Sequence, residues 1–145
     1  MALIVGVVLA FAVGLLCSAT GMDRDRALYP AVTLVVASYY VLFAAMGAPA
    51  RTLVIEALAG AVFLAAAVAG FRGSLWLVVL ALAGHGGFDL VHRSVISNPG
   101  VPAWWPPFCM SYDVTAAAYL AWRLKSGRVR PASPGRQAAR QSDDP

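Results

Sequence analysis

Apolar residues in this chain run in long blocks, and polar residues collect between them. The first block, Ala2–Thr20, carries no charge. The next covers about 27–47, with Pro30 in its first turn, where the missing N–H costs little. Further blocks cover about 52–70, rich in Ala and Gly, then 75–96 and 108–124. Each is about as long as an α-helix that crosses a hydrocarbon core of about 30 Å at 1.5 Å per residue. No ten-residue alternation recurs, which argues against a transmembrane β-barrel. The pattern predicts an all-α integral membrane bundle of five transmembrane helices over residues 1–124. Residues 125–145, rich in Pro, Gly, Ser, Gln and charge, predict a disordered basic tail.

The connections are short. Residues 21–26 (GMDRDR) read as a solvated polar turn with local ion pairs, 48–51 as a loop, and 71–74 as a tight link. Residues 97–107 hold four prolines and the pair Trp104-Trp105. A secretory signal would want a basic stretch ahead of the first block, and none precedes it. Leu16 ahead of Cys17 is larger than a lipoprotein cleavage site prefers, so the block reads as a membrane helix.

Composition agrees with the pattern. Hydrophobic residues make up 60% of the chain and charged residues 12%, against roughly 25% charged in a soluble domain. The charges are unevenly placed. Residues 1–122 hold Arg24, Arg26, Arg51, Arg72 and Arg93 against Asp23, Asp25, Glu56, Asp89 and Asp113, a net of zero. The tail from Arg123 carries the whole +4. That placement suits anionic lipid at a membrane surface and not nucleic acid. With five spans, Arg24, Arg26, Arg72 and the six tail bases share one side, and Arg51 and Arg93 lie on the other. The bias predicts a multi-pass protein of the cell membrane, N-terminus outside and C-terminus cytoplasmic. Cys17 and Cys109 lie in or beside apolar segments with no CxxC spacing and read as small buried hydrophobes.

Setting aside loop and tail charges leaves Glu56, Asp89 and Asp113 within the spans, joined by His85 and His92. Charges at membrane depth are costly, so such groups face the bundle interior, pair with one another or carry a proton. Glu56 and Asp113 fall just after the second and fourth loops, and His92 just before the fourth. Those loops share a side, so one leaflet holds them with Asp89, the outer leaflet by the arginine bias. His85, Asp89 and His92 are spaced i, i+4, i+7 on one helical face. The two histidines are separated by roughly 10 Å of rise, too far to bind one ion together from a straight helix. A pair such as Asp89 with His92, or His85 with Asp89, has chelating spacing, and Glu56 and Asp113 are candidates to complete the site from neighbouring helices.

Three functions stay open. In the first, His85, Asp89 and His92 are ligands to a divalent transition metal, or line a site for lipid or a small substrate. Glu56 and Asp113 then supply a ligand or a catalytic general base in an enzyme that uses the metal to polarise water or an ester carbonyl. In the second, the acids relay protons or cations in an oligomeric transporter or channel subunit. In the third, the polar residues bond helix to helix. Trp104, Trp105 and Tyr112 suit an interfacial aromatic belt or a lid over such a site, and Tyr39 and Tyr40 lie within reach of His85. The stripe Gly6, Ala10, Gly14 and Ser18 suits close packing within the bundle or between copies in a homo-oligomer. No P-loop or dinucleotide fingerprint is present.

The segments MDRDRALYP, SYYVLFA, HGGFDLVH, NPGVPAWWPPFC and YDV, with an intramembrane Glu between the second and third, resemble an uncharacterised family of small bacterial membrane proteins. The resemblance covers Gly21 to Trp122 and implies a polytopic membrane fold, with no activity attached. The His/Asp/Ser repertoire is also similar to that of membrane hydrolases that hold zinc through an HxxxH pair; this chain has HxxxDxxH.

Overall fold

The computed structural model describes residues 1–24 and 26–129. The predicted tail beyond residue 129 lies outside the described residues, as does Asp25. Five α-helices form: α1 Ala2–Thr20, α2 Leu28–Ala45, α3 Ala50–Arg72, α4 Leu75–Val95 and α5 Trp105–Lys125, with a 3-10 turn at Met22–Arg24. No strand occurs among the described residues. Helices α1–α4 are long and apolar enough to cross a membrane. Helix α5 has the length of α4 but mixes Trp, Pro, Tyr and Ser into its apolar run, and much of it is buried in the bundle.

The ends are set by local chemistry. Gly21 terminates α1 in the left-handed conformation at φ 78°, which a side chain would disfavour. The Ser74 hydroxyl accepts a hydrogen bond from the Trp76 amide at 3.3 Å and caps α4. Helix α5 begins at Trp105, earlier than the predicted start near residue 108. Pro106 and Pro107 fall in its first turn, where prolines are tolerated because the first amides have no intrahelical acceptor. A Pro-Pro pair that reads as loop in sequence is therefore a helix start. Helix α3 likewise extends beyond its apolar block, to Ala50 and Arg72, because helix can outrun the hydrophobic pattern by a turn.

Helix α5 packs against α1 on one side and α4 on the other; α4 also packs against α3 and α2, and α2 against α3. The outward faces are apolar, with Ile4, Val8, Leu58, Val62, Leu80 and Leu90 all exposed. The interior holds Glu56, His85, Asp89, His92 and Asp113, all buried. Apolar outside and polar inside suits a bundle in lipid, where association rests on close packing and interhelical hydrogen bonds. The small-residue stripe of α1 faces α5. At Gly6 an added Cβ would collide with the Ser111 hydroxyl and the Phe108 carbonyl, and Gly14 lies against the Tyr119 ring.

The 21–26 turn departs from its expectation. Asp23 is fully buried, not solvated, and pairs with Arg123 of α5 at 2.6 Å. It also accepts from the Ser18 hydroxyl at 2.6 Å, and Ser18 meets the Tyr119 hydroxyl at 2.8 Å. Arg123, counted with the basic tail in sequence, is thus an internal strut. A buried carboxylate needs a paired cation, and α5 brings one to its level. Arg26 donates to the carbonyls of Gly70, Phe71 and Gly73, covering the exposed C-terminus of α3.

Candidate functional site

Helix α4 carries the polar face. His85, Asp89 and His92 all point inward, as their spacing requires, and each is at most 3% exposed. The neighbouring helices divide them into two groups. The deeper group joins α4 to α5. His85 Nδ1 lies 2.6 Å from Asp113 Oδ2 and 3.8 Å from Asp89 Oδ2. The Cys109 thiol donates to Asp113 Oδ2 at 3.6 Å. One ligand atom from each of His85, Asp89, Cys109 and Asp113 falls within 4.8 Å of every other.

The second group joins α4 to α3, one helical step nearer the 96–104 loop. His92 Nε2 lies 2.8 Å from Glu56 Oε1. The Asn98 side-chain amide donates to the same oxygen at 2.8 Å and to the Tyr40 carbonyl at 3.1 Å. Glu56 and His92 therefore meet each other and do not join the His85 cluster. The single patch expected from depth alone is two patches, because α3 and α5 approach α4 from different sides.

Tyr40 stands between them. Its hydroxyl donates to Asp89 Oδ1 at 2.5 Å, and its ring stacks on His92 with centroids 3.9 Å apart. Sequence placed Tyr39 or Tyr40 near His85; the Tyr40 ring does lie beside His85, centroids 6.0 Å apart, with its hydroxyl on Asp89, while Tyr39 packs on Trp105 with centroids 4.6 Å apart. Trp104 is exposed and Trp105 is mostly buried in the core. Tyr112 is half-buried one helical turn after Phe108, with no place in either polar group. The stiff 96–104 loop lies over the Glu56–His92 pair through Asn98, with its own Ile96 and Val101 buried.

Cys109 escaped the reading of the sequence because a lone cysteine in an apolar run looks like a small hydrophobe. Its i, i+4 relation to Asp113 on α5 was the available signal, since that spacing places both on one helical face.

Chemically, the deeper group offers nitrogen, sulfur and carboxylate donors, with no lysine or arginine paired to them among the described residues. Asp89 Oδ2 and Asp113 Oδ1 are buried without a hydrogen-bond partner among the described residues. Buried carboxylate oxygens left unpaired are costly, and a bound cation is one way to satisfy them. Metal–ligand bonds of about 2.0–2.3 Å in tetrahedral geometry place neighbouring donors roughly 3.5 Å apart, so small side-chain adjustments would bring this set to a metal. No family model, curated protein or solved structure matches this chain.

Proposed function

We propose that the protein is a membrane-embedded metal-binding protein whose ion is held by His85, Asp89, Cys109 and Asp113. The observation that carries the reading is the convergence of these four buried donors from two helices. A mixed imidazole, thiolate and carboxylate set suits a divalent transition metal such as zinc, and is softer than a magnesium or calcium site. Four protein donors fill a tetrahedral shell. This favours holding the ion over hydrolysis, which needs an open position for water. Glu56, a candidate general base in sequence, is engaged by His92 and Asn98 away from the four donors. In this reading Glu56 and His92 bond α3 to α4, and Tyr40 orients Asp89 for the ion.

The arginine and lysine bias supports an N-terminus outside and a C-terminus in the cytoplasm, with the basic tail against anionic lipid. The metal centre then lies toward the outer leaflet and the Asp23–Arg123 pair toward the inner.

Elemental analysis of detergent-purified protein tests the metal. About one transition-metal ion per chain is expected in the wild type, as one tetrahedral site requires. It is expected to be lost in His85→Ala and kept in His92→Ala. Wild-type protein without metal after purification and after incubation with zinc would overturn the reading. Chelation should also lower the thermal midpoint of the wild type and leave that of His85→Ala unchanged, since an ion bound only by the folded state stabilises it.

A further inference from the structure

A cleft runs along the bundle where α1 and α2 diverge in front of α5. It encloses about 320 Å³ and is walled by Leu9, Val32, Val35, Trp105, Cys109 and Tyr112. That volume lies at the lower end of the range for ligand sites. The lining is apolar and aromatic, with no charged side chain. Exposed Leu9 and Val35 stand at its rim, so the cleft opens on the bundle's outward apolar face.

Two features point to the occupant. The medium around helices of this length and hydropathy is hydrocarbon, so what enters from the side is a hydrocarbon chain. Along α2 the cleft extends from Leu28 to Tyr39, a rise of about 16 Å, roughly half of a 30 Å core and so the depth of one leaflet. At the Tyr39 end, Trp105 forms part of the wall. We infer that this cleft is a binding site for one acyl chain of a bilayer phospholipid, its methylenes along α1 and α2. Cys109 forms part of the cleft wall and also donates to Asp113, so the chain lies against the outer side of the proposed metal centre. The inference goes beyond the metal reading and stands without it.

Photolabelling separates a site from ordinary boundary lipid. Full-length protein is reconstituted in dioleoylphosphatidylcholine vesicles with increasing fractions of a phosphatidylcholine carrying a diazirine on one acyl chain. Crosslinks are mapped by peptide mass spectrometry. Labelling of the cleft segments of α1, α2 and α5 is expected to saturate at low probe fraction, while labelling around Leu80 on α4 rises in proportion to it. Ala31→Trp places an indole into the cleft from an exposed lining position and is expected to abolish the saturable labelling; Leu80→Trp is expected to leave it intact. Val35→Phe supplies a second occlusion should Ala31→Trp fail to fold. Proportional labelling on both faces, or saturable labelling that survives occlusion in a folded variant, would overturn the inference. Metal content does not enter this readout, so the lipid site and the metal centre fail or stand separately.

Discussion

Tyr40 is held from three directions: by Asp89 at its hydroxyl, by Asn98 at its carbonyl and by the ring of His92 against its face. Removing only the hydroxyl in Tyr40→Phe leaves Asp89 Oδ1 without its donor. That change is expected to destabilise metal-free protein by about 1–3 kcal/mol, the cost of a buried acceptor left unpaired. Denaturation in detergent measures it, and an unchanged midpoint would show that Asp89 finds another donor. The Asp23–Arg123 pair is the second single-residue test. Asp23→Ala leaves a buried guanidinium and is expected to cost about 3 kcal/mol, with Asp23→Ala/Arg123→Leu recovering much of it. Equal losses in the single and double variants would show that the guanidinium reaches water. Residue identity told much at this scale: the three acids and two histidines were visible because ionisable groups are scarce in apolar blocks. Their partition was not, since His85 finds Asp113 on α5 while His92 finds Glu56 on α3, and no periodicity within α4 reveals which helix lies on which side. Asp23 and Arg123 were misread because charges near span ends are ordinarily wet.

Among the elements, α1 was the most legible: nineteen uncharged residues closed by a glycine leave little choice of boundary. Helix α5 was least so, because the proline pair that starts it also suits a loop. The α1–α5 contact depends on Gly6, where the helices touch backbone to side chain. Gly6→Val is expected to push them apart and lower stability by about 1–3 kcal/mol, as overpacking does. Thermal unfolding followed by size-exclusion in detergent checks this. A wild-type midpoint would mean that α1 slides to accommodate the branch. The 96–104 loop is fastened through Asn98, so Asn98→Ala is expected to speed proteolysis within that loop while helix content by circular dichroism holds. Unaltered cleavage would show that the buried Ile96 and Val101 suffice to hold it.

For the molecule as a whole, the proposed orientation gives a direct test, because both native cysteines are buried and give little background. In intact cells an impermeant maleimide is expected to label Ser97→Cys and not Ser126→Cys, and lysis is expected to open the second site. The reverse order would invert the topology. The bundle's architecture also governs how it is made. The main helical packing partner of α1 is α5, so α1 enters the bilayer about 85 residues before its partner begins. At translation rates of roughly 5–20 residues per second, it waits on the order of ten seconds with its glycine stripe uncovered. During that interval Asp23 has no Arg123 to neutralise it, and the nascent chain carries an unmatched acid at the membrane edge. Biogenesis of this protein therefore closes like a clasp: until α5 arrives, α1 has no helix to hold.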